Sequence, residues 1–196
     1  MNKQIGFLLL IWLLAVSPAH SKDLVIVVKI SGSINPAVAE YISHEISQAN
    51  ADQEALIVLH MDTPGGLDTS MRQIIKKIQG SQVPVASFVA PSGSRAASAG
   101  TFITIASHIA AMAPGTNIGA AHPVNMMGGG GESEQAKTME HKVVNDAAAY
   151  IRSLAQLRNR NEHWAELAVV KSVSISAEEA MRLNVIDLVA ADVKAL

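Results

Sequence analysis

The sequence predicts an α/β fold built on a mostly parallel sheet, and three observations carry that expectation. Short β-branched runs alternate with helix-like segments along most of the chain. Several of the runs end in turns rich in glycine, proline or serine. The segments between them carry the residues that start and stop helices, so strand, turn and helix repeat as crossover units.

The elements follow in order. "DLVIVVKI" (Asp23 to Ile30) has little polar interruption and reads as a strand buried on both faces. "NPAVAEYISHEISQA" offers Asn35 as N-cap and Pro36 at the first helical position. A second strand, "EALIVLHMD", leads through "TPGGL" into a helix that begins near Asp68 and stops at Gly80. A third, "VPVASFVA", leads into "GSRAASAG" and the apolar helix-like run "TFITIASHIA". A weaker fourth unit has "HIAAMAP" as a short strand and "GTNIGAAHPVNMMGGGG" as a loop, in which Gly128 to Gly131 argue against rigidity. From about Glu132 to Asn159 the residues favour a long helix with Val143, Ala147, Tyr150, Ile151, Leu154 and Leu157 as its apolar stripe. Ser176 and Glu179 form a capping box for a short helix to Leu183, and "VIDLVA" is a final strand.

Composition narrows the function classes. Residues 1–21 combine a positive start, the apolar "IGFLLLIWLLAV" and small residues at Ala19 and Ser21, the pattern of a secretory signal peptide cut after Ser21. The apolar run is shorter than the roughly 20 residues that span a bilayer, which disfavours an uncleaved anchor. Residues 22–196 are expected to form one domain, exported to a periplasmic or other extracytoplasmic compartment. The 15 Lys and Arg against 17 Asp and Glu leave no basic stripe, so nucleic acid is not an expected partner. With no cysteine in the chain, thiol catalysis and thiolate metal sites are excluded. The seven histidines are dispersed, and no phosphate loop or dinucleotide fingerprint is present, so neither metal nor cofactor is expected.

Chemistry concentrates in two turns. In a parallel sheet the loops at the carboxyl ends of the strands share one edge, where such folds place their sites. "DTPGG" and "GSRAASAG" both fall on that edge. Paired glycines let backbone N–H groups point outward, and a helix beginning near Ser98 adds its own unpaired N–H groups, so together they can hold an anion beside a serine. Spacing alone leaves two alternatives open. Both segments can be tight turns with no chemistry, and Ser92, Ser94 and Ser98 compete as candidates.

The segments "MDTPGGL", "PSGSRAASAGTFI", "AMAPGTNIGAAHPV" and "SAEEAMRLNVIDLVA" together resemble the extracytoplasmic serine-protease domain of the NfeD family, the stomatin-operon-partner protease. The resemblance covers nearly all of the chain beyond the signal segment. It implies a Clp-protease and crotonase type of fold, with Ser98 as nucleophile and the backbone N–H groups of Gly66 and Ala99 as oxyanion hole. The family's general base is a lysine eight residues before the tyrosine of "YIRSLAQ", which places it at Lys142. The implied activity is ATP-independent cleavage of apolar peptide segments, with a stomatin-like membrane protein as substrate. A homodimer and membrane association are implied in the same way.

Each residue must then meet a physical demand. A serine hydroxyl needs a neighbour to take its proton, and a lysine can do so only when burial holds it neutral. Met139, Val143 and Val144 are the expected source of that burial, while a solvated ion pair with Asp146 one turn later is the bland alternative. Lys137 is a weaker substitute. His122, 24 positions after Ser98, stands near where Clp-type peptidases carry a histidine base, but the stretch from Leu167 to Ala177, where such peptidases carry the acid that orients it, contains no Asp or Glu. Two other classes remain as alternatives: a crotonase-type acyl-thioester enzyme and a non-catalytic peptide-binding module.

Overall fold

The computed structural model describes residues 24–124 and 134–196. The expected signal segment 1–21 and the glycine run Gly128 to Gly131 lie outside the described residues.

The strands are β1 (Val25–Ser31), β2 (Leu56–Asp62), β3 (Val85–Val89), β4 (Arg95–Ala97), β5 (Ile109–Met112), β6 (Asn117–Gly119), β7 (Ser174–Ser176) and β8 (Leu188–Val189). The helices are α1 (Pro36–Asp52), α2 (Asp68–Gln79), α3 (Ala99–Ala106), α4 (Glu134–Leu157), α5 (Glu162–Val170) and α6 (Ala177–Arg182). Five strands form one parallel sheet in the order β1-β2-β3-β5-β8. A second, three-stranded sheet runs β4-β6-β7 and sits at the end of the first where the two turns lie.

Local sequence explains several boundaries. Asn35 Oδ1 accepts from the Val38 amide at 3.0 Å, and Pro36 opens α1. Gly80 ends α2. Ser176 and Glu179 exchange both bonds of the capping box at the start of α6. The main core lies between one sheet face, through Val28, Ile57, Leu59, Met61 and Val85, and the helices above it. All eight residues of α3 are buried, so the helix that follows Ser98 is the most enclosed in the fold. The other sheet face carries a smaller cluster, Val58, Ala86, Phe88 and Ala111, against Leu188, Val193 and Leu196.

Four expectations are corrected. The first strand is not buried on both faces: β1 is the sheet edge, and Val25 and Val27 keep 42% and 41% of their surface. "GTNIGAAHPV" is not all loop, because Asn117–Gly119 pairs on both sides as β6. The long helix buries Ala147, Ile151 and Leu154, whereas Val143 and Leu157 at the ends of the expected stripe are exposed. The final strand shortens to two residues. Sequence reading also passed over α5, although Asn161 caps it by accepting from the Trp164 amide at 2.9 Å.

Candidate active site

Ser98 follows β4 and stands directly before α3, on a backbone with φ 51° and ψ −115°. A non-glycine residue at positive φ is strained, and such strain persists only where the surroundings impose it. The surroundings are visible. The Ser98 amide donates to Gly119 O at 3.2 Å, and Thr101 Oγ1 donates to Ala96 O and Gly119 O at 2.9 and 3.0 Å. On the other side Thr63 and Ala96 form a parallel bridge, with the Thr63 amide donating to Arg95 O and the Ala97 amide to Thr63 O. A serine before a helix usually caps it, but the Ser98 hydroxyl makes no capping bond. Its half-buried oxygen is left for other work.

The glycine turn reaches the same point. A Cβ on Gly65 would lie 2.5 Å from Ser98 Cβ and 3.0 Å from its Oγ, so only glycine permits this approach, and φ of +117° at Gly65 makes the same demand. Thr63 Oγ1 accepts from the Gly65 amide at 3.1 Å and braces the turn. The Gly65 carbonyl accepts from Ile34 N and the Leu67 amide donates to Ile34 O, tying the turn to the segment between β1 and α1. Between those two bonds the Gly66 amide has no acceptor among the described residues, and Gly66 is exposed. The Ala99 amide, at the first position of α3, likewise has none. Two free N–H groups therefore flank a serine whose hydroxyl is unengaged, the combination that can stabilise an oxyanion.

The remaining candidates are placed less closely. Ser92 is exposed in the turn, and Ser94 is buried with its carbonyl accepting from Asn117 N, so both belong to the turn's construction. Lys142 lies in the first half of α4 and is exposed, as is Lys137. The burial expected from Met139 and Val143 is not present, since they keep 60% and 46% of their surface; Val144 alone of the three packs on the core. Nor does Asp146 pair with Lys142, because its Oδ2 accepts from Arg72 at 2.6 Å. His122 is half-buried with Nδ1 2.9 Å from Val169 O. A carbonyl only accepts, so Nδ1 carries the proton and Nε2 is the acceptor of the neutral ring. No group of three or more His, Asp or Glu side chains is placed to hold a metal among the described residues.

Sequence reasoning singled out Gly66 and passed over Gly65, Thr63, Thr101 and Gly119. Their roles come from contacts between chain segments far apart in sequence, and only the glycine pair itself gave any signal.

Comparison with known proteins agrees with this architecture. The model of the NfeD1b N-terminal domain matches residues 24–195. A membrane-bound protease of Pyrococcus horikoshii is 40% identical over 182 residues, which cover 92% of this chain and 40% of that protein. The chain thus spans about two fifths of the length of that relative. Two solved structures of a membrane-bound stomatin-specific protease domain match with a TM-score of 0.80 and 39% identity. One is a serine-to-alanine mutant, with 88% of this chain and 82% of that one covered. The other is a lysine-to-alanine mutant in complex with a substrate peptide, with 89% and 78% covered. A polypeptide matched over nearly its whole described length, with the fold of these domains, belongs to the NfeD1b N-terminal domain family.

Proposed function

We propose that this chain is an ATP-independent serine endopeptidase domain working through Ser98 and Lys142. Ser98 Oγ attacks the peptide carbonyl, Lys142 accepts the hydroxyl proton and returns it to the leaving amine, and the Gly66 and Ala99 amides hold the oxyanion. The observation that carries the reading is Ser98 itself, strained, uncapped and pressed against Gly65 between two free amides. The relatives named proteases, one of them solved as a lysine mutant in complex with a substrate peptide, support the choice of reaction and of base. Because Lys142 is exposed in the free chain, the bound peptide is what excludes water from its amine.

The proposed substrates are apolar peptide segments, including those of stomatin-like membrane proteins, on the strength of the relative's specificity. Residues 1–21 act as an export signal and residues 22–196 as the protease domain of a homodimer outside the cytoplasm. No described helix is long and apolar enough to cross a membrane, so membrane association would be made by other parts or partners.

His122 supports a second reading, since its Nδ1 bond to Val169 O leaves Nε2 to accept a proton. The deciding experiment is peptide cleavage by wild type, Ser98→Ala, Lys142→Ala and His122→Ala between pH 6 and 10, with serine-directed phosphonate labelling alongside. Loss of at least a thousandfold in the first two variants with retention in the third is expected. Loss in His122→Ala with retention in Lys142→Ala moves the base to the histidine. Peptide affinity without turnover or labelling, unchanged by Ser98→Ala, makes the domain a binding module.

A further inference from the structure

We propose that Arg72 is a positioning residue for Lys142, an inference that rests on the Ser98 and Lys142 reading. Arg72 stands on α2, the helix that leaves the Gly65 and Gly66 turn. Its Nε donates to Asp68 Oδ2 at 2.9 Å and its terminal nitrogen to Asp146 Oδ2 at 2.6 Å. The guanidinium carbon lies 4.2 Å from the centre of the Tyr150 ring. Tyr150 in turn stacks on Phe102 of α3, with ring centres 6.0 Å apart and planes at 26°. One guanidinium thus joins the helix of the oxyanion turn to the helix of the proposed base, and through Tyr150 to the helix of the nucleophile.

The charge is well held. Burial opposes the guanidinium charge, but the Asp68 bond and the charges of Asp68 and Asp146 outweigh it and raise the Arg72 pKa above its ordinary value. Burial raises the Tyr150 pKa as well, so the ring under the cation stays neutral.

Lys142 precedes Asp146 by one turn and Tyr150 by about two, roughly 6 and 12 Å along the helix. Exposed side chains surround it at Met139 and Val143, so this part of α4 has little grip of its own. Further along, α4 is held by buried Ala147, Ile151 and Leu154 and, beside them, by the Arg72 bond to Asp146, so the place of the Lys142 amine depends on that bond as well as on the core. The same bond occupies the carboxylate that would otherwise pair with Lys142 four residues away. Both ion pairs of Arg72 are partly exposed, with side-chain exposures of 36% and 63% or 70%, so their contribution to stability is small. Geometry is what they contribute. Lysine could not replace Arg72, because two carboxylates and an aromatic face together require a planar fork.

The experiment is steady-state peptide cleavage by the full chain. Arg72→Ala is expected to lower kcat about tenfold while KM stays within about twofold, because the peptide still binds but the base is misplaced. Asp146→Ala, at an exposed position that leaves folding intact, should move kcat in the same direction. The double variant should lose no more than Arg72→Ala alone, since both substitutions remove one bond. Arg72→Lys should recover little. The proposal is overturned if either single variant keeps kcat within about twofold of wild type, if the two losses multiply, or if KM changes in place of kcat. Full activity of Lys142→Ala in the same assay removes the dyad itself, and this inference with it.

Discussion

The two halves of the proposed site are built by different means. The nucleophile and oxyanion half is made of backbone: a strained Ser98, two free amides and a glycine turn, fixed by hydrogen bonds between strand ends. The base half is a side chain on an exposed stretch of α4, a helix whose later turns are held by buried Ala147, Ile151 and Leu154 and by the Arg72 contacts to Asp146 and Tyr150. Backbone built into sheets has almost no freedom to relax, whereas a helix held at one end can swing. The first half is therefore preorganised, and the second depends on its clamp and on the substrate.

The sharpest way to break this contrast is Gly66→Ala. A Cβ there runs into the Ile34 carbonyl, so the turn must shift and carry its free amide with it. A kcat loss of about a hundredfold or more is expected, with slower phosphonate labelling of Ser98, and a lowered melting temperature because the clash is with the buried Ile34 backbone. Unchanged kcat would mean that the amide holds no oxyanion.

Arg160→Ala tests how firmly the nucleophile helix is anchored at its far end. The Arg160 side chain is 1% exposed and donates to Thr104 O, Ile105 O and Ser107 O at 3.2, 2.7 and 2.9 Å, with Asp187 2.5 Å away. Removing it leaves those carbonyls and the carboxylate short of a buried partner, so a loss of about 3 kcal/mol or more is expected. Calorimetry should then show a melting temperature lower by roughly 10 °C. A shift of a degree or two would place the rigidity of α3 elsewhere.

The smallest effect concerns pH. His108 Nδ1 accepts from the Val85 amide at 3.2 Å, and burial, followed by the charges of Arg158 and Arg160, lowers its pKa. The folded state thus prefers the neutral ring. Its stabilisation is complete above the unfolded value of about 6.5 and is lost as pH falls through the depressed folded value. Chemical denaturation should show stability declining below about pH 6.5, with a shallower slope in His108→Gln. Identical slopes would exclude His108 as a source of pH dependence.

Much of this architecture was legible because it is local. Asn35, Pro36, Gly80, Ser176 and Glu179 set helix ends through bonds spanning only a few residues, and those ends lie where the sequence puts them. The turn glycines were legible too, since few other reasons place "GG" after a buried strand. The edge position of β1 was not, because a β-branched run looks the same at the edge and in the centre of a sheet. Strands β4 and β6 are three residues each and exist only through pairing with one another and with β7. In the site, spacing alone left Ser98 among three candidate serines and only the family resemblance singled it out; that Gly65 stands against it depends on the tertiary fold.

The sequence by itself determined the alternation of strands and helices, their caps, and the two glycine- and serine-rich turns, because each depends on the periodicity and backbone preferences of neighbouring residues. Only the tertiary structure decided which serine is strained, which amides stay free, and that Arg72 takes Asp146 from 74 positions away. Those outcomes depend on contacts between segments that nothing in the linear order brings together.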